Sequence, residues 1–488
     1  MLRYVGWCML FVLVVASGLA GGLYLWFHQS LAAMHAHSSG VKLAQKRLDV
    51  TAPGRTAVAL LLGDNQRAGL ERSAGGRSDT IMLVRADPKT KTISLLSIPR
   101  DLQVPVYCPR QTAPLGTTRI DYAFAYCGPA GSLETVQRLT GLPINYLVTV
   151  DFHGFKEIVN QMGGIWLDID RRYYNKDVGT AATDYSSIDL QPGYQLLSGG
   201  SALEFVRFRH TDSDLYRLAR DQEFIRALKD QLSQHFDPLK LPGIVSAITH
   251  NVEIGACSSC LSDTTVLRYA LFAITLPHGH LLQNAITQVS GVNVNGADEL
   301  QASPTTIRAA VYRFTHPEAA LPAAAAPAPT IPARAIATPA VAQVRTDPAA
   351  SRSLLDPVAA RAGFALEVPT ILEASSSPDM LPGDEPVRLY AIAPGRTAVR
   401  LVFHTAGNEF WGVEETDLSD PPALSDRNST RRLGSREFQL YYAGAHLHMV
   451  VLRAGSASYW VVNTLLDSLS NQTMLAIAEG LQPLAAEG

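Results

Sequence analysis

The stretch VALLLGDNQRAG, from Val58 to Gly69, decides the first element of the fold. It opens with a continuous apolar run, Val58 to Leu62, that ends at a glycine, and such a run before a turn residue predicts a buried strand. Ligands and catalytic groups of α/β sheets gather in the loops that follow buried strands. Here that position carries Asp64 followed by Asn65, so polar chemistry is expected at the end of this strand.

Apolar runs and amphipathic stretches alternate around this strand, from residue 57 to residue 315. TIMLVRAD, TISLLSIP, NYLVTVDF and ALEFVRFRH predict strands, whereas SLETVQRLTG, HGFKEIVNQMGG and DSDLYRLARDQEFIRALKDQLSQHF predict helices. Strands interleaved with helices favour the α/β class, as a three-layer α/β/α sandwich around a mixed central sheet.

Composition changes after this region. Residues 316–352 are rich in alanine and proline, which is typical of a semi-rigid linker that forms no packed core. Short strand-like runs and a final helix predict a small α+β accessory domain over residues 353–488. Its place at the end of a long spacer suggests that it contacts cell wall, membrane or a partner rather than completing an active site.

The N-terminus predicts a membrane anchor. Tyr4–Phe27 contains no charged residue, and at about 1.5 Å per helical residue it is long enough to cross about 30 Å of hydrocarbon. We expect residues 1–28 to form a short cytoplasmic tip and one transmembrane helix, and residues 29–56 to form a stalk. The main domains would then be extracellular. The alternative is a cleaved signal peptide.

Charge and cysteine content narrow the class further. The formal net charge of −3 gives no electrostatic footprint for nucleic acid. Besides Cys8 in the apolar stretch, an even set of cysteines remains, and in an exported chain it predicts two disulfides. The expected pairs are Cys108 with Cys127 and Cys257 with Cys260. A redox or zinc half-site is the alternative for the second pair.

Arginines recur where predicted strands end. Arg100 follows the stiff Ile98–Pro99 exit of one strand, and Arg207 and Arg209, two apart on a predicted strand, would share one face. Arg217 and Arg220 lie three apart near the start of the long helix. Guanidinium groups suit phosphate oxygens, so their convergence would make an anion site. The alternative is that each arginine is solvated or pairs with a nearby aspartate.

At this point the chain resembles the LytR-CpsA-Psr family. The resemblance spans roughly residues 57–240 and is carried by GRSDTIMLV, LLSIPRDLQVPV, RIDYAFAYCGP, VDFHGFKEIVNQMGGIWLDI and LEFVRFRHTDSDLYRLARDQEFI. It implies a membrane-anchored extracellular phosphotransferase that moves a glycopolymer from a polyprenyl-pyrophosphate carrier to peptidoglycan. It further implies a hydrophobic lipid tunnel with a magnesium-bound pyrophosphate at its mouth. The alternatives are a pyrophosphate hydrolase using the same site and a non-catalytic polyprenyl-lipid or wall-binding protein; the oligomeric state stays open.

The resemblance also implies roles for individual residues. Asp79 matches a metal-site aspartate, and Arg100 an arginine at the pyrophosphate. The remaining substrate-binding positions are the paired clamp Arg207 and Arg209, the basic position Arg119, the helix arginines Arg217 and Arg220, and, with less defined roles, Arg77 and Asp101.

The chain departs from the family at the stretch quoted first. The family's first strand usually ends in Gly-x-Asp-x-Arg, and alignment through Gly63 and Arg67 puts Asn65 at the aspartate position. The acid stands one residue early, at Asp64, and neighbouring side chains of an extended segment point opposite ways. Three alternatives follow: a bulge returns Asp64 to the metal and the chemistry, Asn65 acts as a weak neutral metal ligand, or the site is weakened or inactive.

Overall fold

The computed structural model describes residues 28–30, 32, 34–52, 54–64, 76–176, 187–209, 213–234, 237–257, 260–277, 279–294, 296–321, 343–380, 383–425 and 427–484. The apolar stretch Tyr4–Phe27 and Asn65 lie outside these residues. Within the described ranges, no helix is both long and apolar enough to cross a membrane.

A mixed sheet forms the centre of the first part of the chain, residues 28–321. The strands of this part are β1 (Ala57–Asp64), β2 (Ser78–Asp87), β3 (Thr92–Ser97), β4 (Gln103–Val106), β5 (Gly116–Arg119), β6 (Tyr146–Asp151), β7 (Ile165–Ile169), β8 (Tyr173–Asn175), β9 (Ile188–Leu190), β10 (Gly193–Leu197), β11 (Val252–Ala256), β12 (Leu281–Ala285), β13 (Val289–Val294) and β14 (Ala297–Ala302). Six of them pair in the order β11-β6-β1-β2-β3-β12. Strand β1, the quoted apolar run, lies inside this sheet, antiparallel to β2 and parallel to β6.

Helices cover both faces of this sheet. They are α1 (Ser39–Gln45), α2 (Tyr122–Thr140), α3 (Phe152–Gln161), α4 (Gly199–Arg207), α5 (Asp214–Gln234), α6 (Leu241–Asn251), α7 (Asp263–Ile274) and α8 (Pro304–Thr315). Side chains alternate along β1, so Leu60 and Leu62 pack towards α1, α2 and α8, whereas Leu61 faces a cavity beside α3 and α5. The α/β class with a mixed central sheet is therefore confirmed.

One predicted strand is wrong. The segment ALEFVRFRH does not form a strand: residues up to Arg207 form α4, which Ser198 caps by accepting a hydrogen bond from the Ser201 amide at 3.3 Å. Ala202, Phe205 and Val206 lie on the buried side of this helix, at the spacing of helical neighbours. The apparent strand alternation arose because Phe208, just past the helix, is also buried.

Residues expected to form a stalk pack into the first part. Helix α1 buries Val41 and Ala44 in the same apolar cluster as Leu60 and Leu62. The loop after it is also tied down, since the Asp49 carboxylate accepts a hydrogen bond from the Ile144 amide at 3.1 Å. The packed unit therefore begins before residue 57.

The second part of the chain, residues 343–484, has its own core and sheet. Its elements are β15 (Val344–Thr346), α9 (Pro348–Ala362), β16 (Glu367–Pro369), β17 (Ile371–Glu373), β18 (Ser377–Pro378), β19 (Val387–Ala393), β20 (Arg396–His404), β21 (Phe410–Thr416), β22 (Ser429–Leu433), β23 (Arg436–Ala443), β24 (His446–Ala454), β25 (Ala457–Val462), α10 (Asn471–Glu479) and β26 (Leu481–Pro483). The large sheet has the order β18-β20-β21-β25-β24-β23-β22, with β19 beside β20. Packed secondary structure is thus present before residue 353, the boundary that composition predicted.

The two parts pack against each other through buried polar groups. The fully buried Arg400 guanidinium lies 2.9 Å from the Asp168 carboxylate of β7, with Glu414 at 3.7 Å. The Tyr390 hydroxyl donates to the Tyr194 carbonyl of β10 at 3.0 Å. Charges this deeply buried are tolerated only when they are paired. The second part is therefore docked on the first, not held away from it by a spacer.

Helix α5 lies between the cavity and the second part. Glu223 and Arg226 point towards the second part, where His448 and Asp467 lie 3.9 Å from their respective side chains. Phe224, between them in sequence, lines the cavity on the other side. The second part therefore packs against the back of a helix that carries predicted site arginines.

Both expected disulfides are present in the structure. Cys108 is joined to Cys127 and Cys257 to Cys260, with Cα atoms 5.4 Å and 5.1 Å apart. The first bridge connects the segment after β4 to helix α2. The second closes a short loop between β11 and α7.

Candidate active site

An irregularity between β1 and β2 sets up the site. Gly63 pairs with Thr80, but Asp64 pairs with Ser78, so β2 has one additional residue, Asp79. A bulge of this kind re-aims the side chain of the additional residue and is common next to functional sites. The additional residue of this bulge is Asp79, not Asp64.

Asp79 is the first anionic centre of the site. The side chain is 5% exposed and is contacted by the Arg100 guanidinium. The Arg207 Nε lies 3.6 Å from its Oδ2, and Arg217 donates a hydrogen bond to its backbone carbonyl. Arginines from β3's exit, α4's end and α5 therefore converge on one residue of β2.

Asp101 is the second anionic centre. Its Oδ1 lies 2.5 Å from Arg119 Nη2, and its Oδ2 lies 2.5 Å from Arg209 Nη2. Arg100 joins the two centres, because its Nε is 3.7 Å from Asp101 while its Nη1 contacts Asp79. The cluster is therefore continuous.

Arg217 and Asp214 complete the cluster from α5. Arg217 is 2% exposed, and its Nη2 lies 2.8 Å from Asp214 Oδ1. The same carboxylate lies 3.8 Å from Arg209 Nε. Neighbouring carboxylates, Asp214 first, outweigh burial and raise the pKa of Arg217, so its positive charge is secure at any physiological pH.

Two predicted site arginines have other positions. Arg220 is fully buried, donates to the Phe208 carbonyl, and lies 5.1 Å from the Tyr173 ring centroid. Through its contact with Phe208, Arg220 stabilises the segment that carries Arg207 and Arg209. Arg77 lies over the Tyr122 ring at 4.6 Å and donates to its hydroxyl at 3.2 Å, at the rim of the cluster.

The charge balance of the cluster favours an anion. The cluster contains five arginines and four carboxylates: Arg100, Arg119, Arg207, Arg209 and Arg217 against Asp79, Asp101, Asp214 and the fully buried Asp121, whose Oδ2 lies 2.7 Å from Arg119 Nη2. Partly buried cations in excess stabilise a bound anion, and guanidinium groups bind phosphate oxygens in pairs. The arginine cluster can therefore offer guanidinium groups to an anionic head group.

An apolar cavity of about 220 Å³ adjoins the arginine cluster. Polar residues lie along one part of its wall, including Asp79, Arg207 and Arg217. The rest is apolar and comes from the sheet and from α3, α4 and α5: Leu61, Met82, Val148, Val150, Phe152, Phe155, Ile158, Val159, Leu203, Val206, Phe224, Ile225, Leu228 and Val252. A hydrocarbon chain fits such a lining.

Asp221 is a site residue that sequence reasoning missed. It lines the cavity one helical turn after Arg217 and accepts a hydrogen bond from the Thr80 hydroxyl at 3.2 Å. Burial raises the pKa of Asp221 to about 7, and the nearby Arg217 only partly offsets this. Its four-residue spacing from Arg217 was the available signal, because such residues share a helix face.

The predicted metal corner fits magnesium chemically. Magnesium takes one or two carboxylates and completes its shell with water and phosphate oxygens, and Asp79 supplies such a carboxylate at the mouth of the cavity. Among the described residues no group of three or more metal-ligating side chains occurs, so a bound phosphate would have to complete the shell. Asp64 ends β1 beside Ser78 and Asp151 and is not among the cavity-lining residues. Asn65 lies outside the described residues.

Comparison with known families matches residues 23–306 to the model of the LytR_cpsA_psr family. Polyisoprenyl-teichoic acid–peptidoglycan teichoic acid transferase TagV of Bacillus subtilis is 31% identical over 244 residues, covering 49% of this chain and 60% of TagV. The similarly named TagT of B. subtilis is 33% identical over 224 residues, covering 45% of this chain and 66% of TagT. The matches thus span less than two thirds of each relative.

Two solved structures align with part of the chain. The crystal structure of B. subtilis TagV aligns with a TM-score of 0.45 and 26% identity, over 54% of this chain and 98% of that one. A structure of TagT bound to LIIa-WTA aligns with a TM-score of 0.45 and 24% identity, over 58% of this chain and 98% of that one.

Proposed function

The chain belongs to the LytR-CpsA-Psr family, and we propose that it is a phosphotransferase that moves a glycopolymer from a polyprenyl-pyrophosphate carrier to peptidoglycan. The relatives TagV and TagT carry names of this activity, with teichoic acid as the polymer.

One observation carries the proposal: the arginine cluster opens onto the apolar cavity. Arg207 and Arg217 belong to both, since each contacts Asp79 and lines the cavity. A ligand with a pyrophosphate head and an isoprenoid tail presents these two chemistries in this order.

The reaction that suits this site is a phosphoryl transfer. A hydroxyl oxygen of the acceptor sugar attacks the phosphorus attached to the polymer, and a new P–O bond forms. The P–O bond to the second phosphate breaks, and polyprenyl phosphate leaves with the electron pair. The acceptor proton passes to a nearby carboxylate or to water. Arg100, Arg207 and Arg209 would stabilise charge on the phosphate oxygens, so that catalysis rests on positioning and electrostatics.

Magnesium is part of the proposal. Bound at Asp79, with Asp64 or Asn65 as a further ligand, it would neutralise charge on the two phosphates. The Asp79 carboxylate already holds Arg100 and lies near Arg207, so a metal ion would have to displace or share these contacts.

The test is turnover of a defined substrate by the purified full chain. With a synthetic polyprenyl-pyrophosphate glycopolymer, we expect magnesium-dependent release of polyprenyl phosphate. Arg100→Ala and Asp79→Ala should each lower the rate by about 10²-fold or more. Arg308→Ala on α8, an exposed arginine, is the matched control and should leave the rate unchanged.

Each outcome selects one function. Polymer joined to a peptidoglycan acceptor supports transfer, whereas release to water alone indicates a pyrophosphate hydrolase. Binding without release indicates a lipid-carrier protein. A chain that neither binds nor turns over the substrate contradicts the proposal.

The end of the stretch VALLLGDNQRAG, at Asp64 and Asn65, has its own test. If Asn65 occupies the metal corner, Asn65→Asp should raise magnesium affinity or turnover. If instead Asp64→Ala abolishes activity while Asn65→Asp changes nothing, Asp64 supplies the required carboxylate.

We also propose that the chain is attached to the cell membrane by residues 4–27, with its two packed parts outside the cell. The support is the charge-free composition of that stretch and the even set of cysteines. A substrate carried by a membrane lipid and an acceptor in the cell wall both suit this location.

A further inference from the structure

Helix α7 presents an exposed apolar stripe. Leu267 and Leu271 are 46% and 48% exposed, and their four-residue spacing puts them on one face of the helix. Ala270 is exposed as well. The charged residues of α7 are Asp263 at its start and Arg268. Exposed leucines beside an arginine are typical of a helix that lies at a membrane surface.

The start of α7 lies where the apolar N-terminal stretch ends. The His28 Nδ1 is 2.6 Å from the Asp263 Oδ2, and His28 directly follows Tyr4–Phe27. If that stretch crosses a membrane, His28 is at the membrane surface. Because His28 contacts the first residue of α7, the helix begins at that surface too.

Exposed arginines flank the stripe. Arg268 and Arg55 are both exposed, and the Tyr269 hydroxyl donates to the Arg55 carbonyl at 2.8 Å. A Cβ at Gly54 would lie 3.8 Å from Arg268 Nη1, so the two basic residues belong to one surface. Arginines at this position suit anionic lipid head groups.

The buried face of α7 links this surface to the cavity wall. Phe272 and Ala273 pack into the same apolar cluster as Ile225 of α5. Ile225 also lines the cavity. The exposed stripe is therefore on the outer side of a helix that packs against the cavity-lining helix α5.

From these observations we propose that α7, with Leu267 and Leu271 inserted and Arg55 and Arg268 at the head groups, rests on the lipid bilayer and orients the catalytic part on the membrane. The inference rests on the proposed membrane attachment and goes beyond the phosphotransferase activity. Two leucines alone would bind a membrane only weakly from solution. In a chain that is already tethered to the membrane, this weak contact is enough to hold α7 at the surface, because the tether keeps the local lipid concentration high.

Nitroxide accessibility in vesicles tests the proposal. The full chain, with Cys8→Ala to remove the cysteine outside the disulfides, is reconstituted into vesicles of phosphatidylethanolamine and phosphatidylglycerol. A spin label is placed on Leu267→Cys or on Leu271→Cys. The matched control is Tyr312→Cys, 62% exposed on α8, which covers the opposite face of the sheet. Unchanged thermal unfolding shows that each labelled chain is folded.

We expect the labels at 267 and 271 to lose accessibility to a water-soluble nickel complex and to gain accessibility to oxygen, relative to the same labels in detergent. The label at 312 should not change. Labels that all stay water-accessible on vesicle-bound chains overturn the role of α7. A chain that does not float with vesicles overturns the attachment and α7's contact together. Release of polyprenyl phosphate in detergent judges the enzyme activity separately.

Discussion

Asp221 gives the sharpest quantitative prediction, because it is a buried carboxyl group with one described hydrogen bond, from Thr80. Burial raises its pKa from 3.8 in the unfolded chain to about 7 in the fold. A raised pKa means that the native state holds the proton more tightly. Its contribution to stability is therefore complete below the unfolded pKa and is lost as the pH rises through the native pKa. About three pH units at 1.36 kcal/mol each give a loss of about 4 kcal/mol.

The measurement compares the wild type with Asp221→Asn, which keeps the size of the side chain and does not titrate. Urea denaturation in the presence of a chelator, from about pH 4 to about pH 8, yields the free energy of unfolding of each chain. The wild-type value minus the variant value should fall by about 4 kcal/mol across this range. Groups common to both chains cancel in the difference.

Asp87 provides a control of opposite sign. Burial alone would raise the pKa of Asp87. The Lys89 amide and the Arg85 guanidinium outweigh burial, so the pKa of Asp87 is lowered. Its contribution is complete above the unfolded pKa of 3.8 and is lost only as the pH falls below it. The difference between wild type and Asp87→Asn should therefore stay flat from about pH 4 to about pH 8 and fall below about pH 4. A flat difference for Asp221→Asn between about pH 4 and about pH 8 would refute the reasoning on that side chain.

Further predictions concern stability. Arg400→Ala leaves the buried Asp168 carboxylate without its cation, and urea denaturation should show a loss of about 3–5 kcal/mol; a loss below about 1 kcal/mol would mean that the pair is not buried as described. Asp151→Ala removes the cap that accepts from the Gly154 amide at 2.7 Å and should cost about 1 kcal/mol in the same assay. Leu60→Ala in the fully buried central strand should cost about 2–5 kcal/mol, and a smaller value would mean that the core closes over the gap.

Much of the fold could be predicted from the sequence, because the local sequence pattern agrees with the tertiary environment of each segment. The run Val58–Leu62 is apolar on every residue, as a strand covered on both faces must be, and β1 lies inside the sheet. The long amphipathic segment that became α5 was also predicted correctly. The segment that became α4 was not, because a short run with buried residues at 205, 206 and 208 satisfies both periods.

The sequence predicted the residue types of the candidate site but not which side chains contact each other. Arginine-rich strand ends predicted an anion site, and Arg100, Arg119, Arg207, Arg209 and Arg217 do converge. Arg220 carries the same charge at a comparable spacing, yet it is buried against aromatic rings and a backbone carbonyl. Arg217 and Arg220 both belong to α5, and they differ only in the direction in which their side chains leave the helix.

By itself, the sequence determined the class of the fold, the apolar N-terminal stretch, the even set of cysteines and the residue types of the site. These depend on composition and on short-range periodicity, which each segment carries alone. The tertiary structure decided that Asp79 is the additional residue of a bulge, that Asp221 enters the cavity, and that the second part docks on the first through Arg400 and Asp168. Each of these depends on contacts between segments far apart in the chain, and no local pattern records which distant groups will meet.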